Sequence, residues 1–508
     1  MGVDSNRQIK VSIMISYCSI IINIIMGLLY TPWMISSIGR ENFGLYTLAS
    51  SVIAFFMFDF GLSSAITRFM SKYIAEGRKE MANNCLGLVY RLYFVIDILF
   101  FVVLLSVFFF IPEIYQKLTP DEIEKFRIVY AVAAIYSVIA FPFIPLNGIL
   151  SANEQFIPLQ IAELSQKIII VSLMSICLFL GWGLYALVLV NAIAGMTTIL
   201  LKIYAIRRYT TSRANIKYRN RSELKELLFF SGWSTVVSIS QRFVLTIAPT
   251  FLGMFSGSTA IAIFGIAMTI EGYAYTFSSV IGSPFLPKVT KITVGDMKGL
   301  MPLMIKVGRI QYIAVAAIFL GFVCLGYQFV LLWVGNGFEG SYLCAAILIF
   351  PSFFSTPEAI ADQAILAKNL VKYQACSYIC TTILNLLLMY LLVNMWGALG
   401  AALSICISYL TRWLFLNIIY YRQLKIDIFY FYKETLLKMS PAFIGIVAAS
   451  FVFNLLLPDM SWPLFIVKAS IFGVIYASLI YCVMNGYERE IILKPLGRYL
   501  NRGKNSKL

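Results

Sequence analysis

Histidine is absent from all 508 residues. That excludes histidine metal sites, histidine general bases and histidine proton relays together. Charge is scarce too. Asp, Glu, Lys and Arg make up 13% of the chain, about half the share of a soluble protein. The nine cysteines lie in or near apolar segments, none in a metal-ligand spacing. Cys376 and Cys380 stand one turn apart on one helical stretch, a poor geometry for a disulfide, so the thiols are read as free and apolar. No small-residue cleavage pattern follows the first apolar run, which is read as a retained span rather than a signal peptide.

What remains is apolar: 60% of the residues. The runs predict an all-α polytopic membrane protein with about 14 transmembrane helices. They fall near 12–38, 45–69, 86–111, 128–150, 156–180, 184–206, 227–252, 260–286, 303–331, 343–366, 375–393, 398–420, 436–457 and 464–484. Pro32, Pro142, Pro145, Pro284 and Pro357 fall inside or near span ends, where kinks are tolerated if neighbours or water satisfy the freed carbonyls.

The net charge of +16 is spread over alternate loops, the signature of membrane orientation rather than of nucleic-acid binding. Lys72, Arg78 and Lys79 mark one inner loop, and Arg207, Arg208, Arg213, Lys217, Arg219, Arg221 and Lys225 another. Both termini are thereby expected in the cytoplasm, and the basic tail is expected to meet anionic lipid.

The longest inner loop also divides the chain. Trp182-Gly183-Leu184 before it matches Trp396-Gly397-Ala398 after it, and Leu150-Ser151-Ala152-Asn153 matches Leu366-Ala367-Lys368-Asn369 at nearly the same offset. The expected organisation is a six-helix lobe (1–210), a basic cytoplasmic linker (211–226), a second six-helix lobe (227–430), two appended helices (431–485) and a basic tail (486–508). Each lobe has an even number of spans, so the repeats run parallel. Such a duplication suits a transporter whose site lies in a central cavity between the lobes.

Charges at membrane depth then become site candidates. Arg242 lies near the middle of the seventh span and Glu271 near the middle of the eighth, where they can form an ion pair or line a pathway. Glu163 and Lys167 share a face at i and i+4. Arg91 and Asp97 stand on different faces of the third span, and Arg91 and Arg68 are near enough to the inner surface to snorkel. Asp59 points away from Arg68, while Glu358 and Asp362 share a face in the tenth span. Arg242, Arg68, Arg91 and Lys167 together suit an anionic head group, because phosphate oxygens accept bidentate arginine contacts.

The stretch Gly39-Arg40-Glu41-Asn42-Phe43-Gly44-Leu45-Tyr46, followed by Asp59-Phe60-Gly61-Leu62 and Thr67-Arg68-Phe69, resembles the start of a Wzx-type polysaccharide flippase. Pro145-Leu146-Asn147-Gly148-Ile149-Leu150-Ser151-Ala152 is similar to the fourth span of that family. The family belongs to the multidrug/oligosaccharidyl-lipid/polysaccharide exporter superfamily. The resemblance implies a MATE-like fold of two six-helix lobes around a cavity. It implies movement of undecaprenyl-pyrophosphate-linked oligosaccharide from the inner to the outer leaflet of the bacterial cytoplasmic membrane, for O-antigen or a related surface polysaccharide. It implies ion-coupled alternating access with H+ or Na+, no cofactor, and a polymerase and chain-length regulator as pathway partners. Its cationic cavity maps onto Arg68, Arg91, Arg242 and Lys167, and Asp59, Asp97, Glu163, Glu271 and Glu358 are left as carriers of the coupling ion.

Three other readings compete. A lipid II flippase shares the fold. A multidrug/cation antiporter would favour an acidic rather than a cationic cavity. An O-antigen polymerase, an enzyme, would be expected to present a large basic outer loop, but the longest outer loop, 112–126, is short and carries Glu113, Asp121, Glu122 and Glu124.

Overall fold

The computed structural model describes residues 5–57, 62–279, 289, 292–293, 297–368, 370–457 and 460–489. All regular structure among them is helical. The first half gives α1 (Ser5–Ile38), α2 (Arg40–Phe56), α3 (Leu62–Ala75), α4 (Lys79–Phe109), α5 (Pro120–Ala140), α6 (Leu146–Ala152), α7 (Phe156–Phe179) and α8 (Gly183–Tyr209). The second half gives α9 (Arg221–Thr246), α10 (Ser258–Ser279), α11 (Leu300–Val334), α12 (Glu339–Ser355), α13 (Ala359–Ala367), α14 (Val371–Leu424), α15 (Lys438–Leu456) and α16 (Trp462–Val483).

Twelve helical segments among the described residues are long and apolar enough to cross a membrane. Two features reconcile this with the expected count. The helix α14 runs for 54 residues, about 80 Å at 1.5 Å per residue and more than twice the apolar thickness of a bilayer. Gly397 interrupts it at φ 54° and ψ −127°, a conformation that favours glycine, so α14 is two spans joined at one residue. The predicted span 45–69 is instead two shorter helices, α2 and α3. Asp59, Phe60 and Gly61 lie between them, outside the described residues, as does Pro284.

The polar turn expected at 39–42 is a single residue. Gly39, at φ 82°, is the only break between α1 and α2. Asn42 makes the tight join possible, since its Nδ2 donates to the Ile38 carbonyl at 2.8 Å. Proline acts unevenly. Pro32 sits within an unbroken α1. Pro142 and Pro145 mark a 3-10 turn between α5 and α6, and Pro357 marks one between α12 and α13.

The chain forms two compact units. One holds residues 1–266 and 371–408, the other 267–370 and 409–508. In the first, α7 packs on α8 and α1, α2 on α5, and α3 on α4 and α6. Its core includes Ile66, Met70, Leu86, Tyr93, Phe141 and Leu150. Thr119 caps α5 with Glu122 in a reciprocal capping box, and the buried Glu122 carboxylate also accepts the hydroxyl of Ser258. Close backbone contact joins the same region, because a Cβ on Gly44 would lie 2.2 Å from the Ser258 carbonyl oxygen. In the second unit α11 is the centre, packing on α12, α15 and α16.

Candidate functional site

In the first unit the cations are placed by helix ends and by neighbouring polar groups. Arg91, on α4, donates from Nη1 to the Tyr218 carbonyl at 3.3 Å, so it reaches the linker between the halves. Lys167 is half-buried on α7, and Arg68 is exposed on α3. Glu163 forms an ion pair with Lys202 of α8 at 3.6 Å. Lys202 Nζ also donates to Asn147 Oδ1 at 2.8 Å. Lys202 thereby ties α8 to Glu163 of α7 and to Asn147 of α6, with Lys167 one turn from Glu163 on α7. Asp97 is 8% exposed, and its Oδ1 has no hydrogen-bond donor among the described residues.

Arg242 stands apart from these. It lies four residues before the end of α9, with its backbone carbonyl taken by the Thr246 hydroxyl. Its side chain is exposed, so the protein leaves the guanidinium unfilled space. Glu271 belongs to the other unit, where it is half-buried on α10.

The second unit carries an enclosed carboxylate site. Glu358, 1% exposed, ends the 3-10 turn that begins at Thr356 and has Pro357 at its centre. Its Oε1 accepts the Trp413 indole N–H at 3.0 Å and the Tyr432 hydroxyl. The Trp413 N–H is shared with the Tyr432 oxygen at 2.9 Å. The Trp413 and Tyr432 rings meet edge to face at 5.9 Å, with Phe354 on the other side of Trp413 at 5.2 Å. One turn on, Asp362 accepts the Tyr420 hydroxyl at 2.7 Å. A carboxylate in an apolar layer needs such donors. The carboxylate is thereby satisfied where it is buried. Among the described residues no three metal-ligating side chains converge.

The profile of the polysaccharide biosynthesis protein family matches residues 10–291, more than half the chain. This chain belongs to that family. It is 24% identical over 400 residues to a putative O-antigen transporter of Shigella flexneri, covering 77% of this chain and 92% of that one. A putative O-antigen transporter of Escherichia coli is 21% identical over 396 residues, covering 75% and 89%. The lipid II flippase MurJ in an inward closed conformation superposes with a TM-score of 0.71 at 14% identity, covering 96% of this chain and 99% of that one. An inward-facing multidrug MATE transporter superposes with a TM-score of 0.60 at 15% identity, covering 82% and 99%. The fold is therefore the one these two solved transporters share, as the sequence resemblance implied.

Among the described residues, four buried or half-buried cations of the predicted apolar spans escape the sequence reading: Lys202, Arg309, Arg412 and Lys468. The criterion that selects Arg242 would have selected them too. Lys468, 4% exposed on α16, donates to Gln328 Oε1 of α11 at 2.9 Å. Arg309, on α11, donates to the carbonyls of Glu434 and Val483 at 3.0 and 2.9 Å and to the Glu488 carboxylate.

Proposed function

We propose that this protein moves undecaprenyl-pyrophosphate-linked oligosaccharide repeat units from the inner to the outer leaflet of the bacterial cytoplasmic membrane. The single observation that carries the reading is Arg242, a permanent cation in a transmembrane helix whose side chain faces open space. A fixed positive charge at membrane depth is costly unless it serves a pathway, and a guanidinium suits a pyrophosphate. Arg68, Arg91 and Lys167 extend the cationic set. Membership of the polysaccharide biosynthesis family and the likeness to putative O-antigen transporters support the same substrate class.

In this reading the two sequence halves are parallel repeats that exchange access between the leaflets, with both termini in the cytoplasm. Glu358 takes up the coupling ion, H+ or Na+. Asp97, whose Oδ1 lacks a donor, and Glu271 are the next carriers to test. The protein is a transporter, not an enzyme.

A lipid II flippase is the second reading. What favours it is the fold shared over 96% of the chain. One experiment separates the readings: deletion of the gene in its own host, followed by analysis of lipid-linked intermediates in each leaflet. The proposal expects intact repeat units trapped on the cytoplasmic leaflet, surface polysaccharide lost and peptidoglycan synthesis unaffected. Trapped lipid II with growth arrest would replace it with the second reading. Single repeat units that reach the outer leaflet but fail to polymerise would point to a polymerase.

A further inference from the structure

The first unit contains a cavity of about 960 Å³ that the transport reading does not use. Its apolar wall is built where three helices end together. Tyr90 comes from α4, Leu146 and Ile149 from α6, and Ile206 from α8. The remaining side is the start of the linker, residues 210–214 and 216, with Arg207 and Arg213 at the rim. No carboxylate lines it.

The linker is held in place rather than draped. The Asn215 N–H donates to the Asn83 carbonyl at 3.0 Å. The Arg213 N–H donates to Asn83 Oδ1, and Asn215 Nδ2 to Asn84 Oδ1, both at 2.8 Å. Asn153 Nδ2 donates to Ser212 Oγ at 3.2 Å. Gly87 is required beneath it, since a Cβ there would lie 1.9 Å from the Asn215 carbonyl oxygen. The cavity is thus a fixed feature of the fold, of a size suited to a small amphiphile.

Two features decide the ligand chemistry. The walls are hydrocarbon, while the rim carries two guanidiniums whose side chains are exposed and make no ion pair among the described residues. Arg207 lies in the last turn of α8, where the apolar run ends and polar linker begins. For a spanning helix that is the depth of the lipid headgroups. An anionic headgroup with hydrocarbon attached matches both features, and the bilayer supplies it at high local concentration.

We propose that this cavity binds an anionic glycerophospholipid of the surrounding bilayer, its phosphate between Arg207 and Arg213 and an acyl chain against Tyr90, Leu146, Ile149 and Ile206. The proposal does not depend on the identity of the cargo.

The test is lipid binding to the purified full chain by native mass spectrometry, comparing phosphatidylglycerol with phosphatidylcholine of identical chains. Phosphatidylglycerol should bind about 30-fold more tightly, the effect of two arginines near a headgroup. Arg207→Gln with Arg213→Gln should abolish that preference while leaving the lipid-free melting temperature unchanged. Ile203→Trp, at a half-buried wall position and with both arginines kept, should weaken both lipids. Equal binding of the two lipids, or a double variant that keeps the preference, overturns the proposal. Displacement by inorganic phosphate would make this a small-anion site, and preferential displacement by undecaprenyl phosphate would make it a cargo site. Either result also overturns the proposal.

Discussion

Arg309 and Glu488 hold each other in the interior of the second unit, 2% exposed each, with Arg309 Nη2 and Glu488 Oε2 3.2 Å apart. Nε makes a second contact to the same carboxylate. Glu488 Oε2 also accepts the Asn485 N–H at 2.9 Å. The pair fastens the segment after the last transmembrane helix to the centre of the unit.

Removing one partner leaves the other charge buried and unpaired. Arg309→Met alone should destabilise the protein by about 3–5 kcal/mol, and Arg309→Met with Glu488→Leu should recover most of that loss. Thermal unfolding in detergent, with both single variants and the double variant, measures the difference. A double variant no better than the single ones would contradict this account.

Glu358→Gln keeps an oxygen for Trp413 and Tyr432 but cannot bind and release a proton. The variant should fold with a melting temperature close to that of the parent, yet its transport in proteoliposomes should no longer respond to an imposed H+ or Na+ gradient. Glu358→Ala removes the acceptor and should cost about 1–3 kcal/mol of stability as well. Gradient-driven transport by Glu358→Gln would move the coupling role elsewhere.

Arg242→Ala should abolish transport of lipid-linked oligosaccharide, whereas Arg242→Lys should keep part of it, because lysine retains the charge but not the bidentate geometry. Stability should hardly change, since the side chain is exposed. The measurement is complementation of the deletion strain, with membrane insertion of each variant checked by immunoblot.

Gly87→Ala places a methyl group 1.9 Å from a backbone oxygen of the linker, which must lift away. An overpacking cost of about 1–3 kcal/mol should raise tryptic cleavage at Arg213, Lys217 and Arg219 by about fivefold or more, because cleavage follows the population of the open form. A time course of limited proteolysis decides it.

The spans were legible because the bilayer fixes their length, so a long apolar run carries its own meaning. The interruption between α2 and α3 was not. Residues 45–57 and 62–69 read as parts of one apolar run, and only the structure separates them. Partnership was the other hidden quantity. The i, i+4 spacing of Glu163 and Lys167 is visible in the sequence, but the ion pair to Lys202 depends on how α7 packs against α8. Arg309 and Glu488 are farther apart still, and no local pattern joins them. Glu358 could be singled out as a charge at depth, yet its donors are Trp413 on α14 and Tyr432 beyond the end of α14, which only tertiary packing brings to it.

Gly397 bears on how the protein is made. From Tyr373 to Thr411 the chain carries no charged side chain, and the two spans in α14 are joined through that single glycine. An insertion machinery that reads each segment as it leaves the ribosome meets nothing there to retain on its own side. The pair would enter the lipid as a preformed hairpin, with Lys372 before it, Arg412 within its second span and Arg422 after it. A bulkier residue at 397 would therefore act first during biogenesis, as a fault in topology, before any effect on the finished transporter.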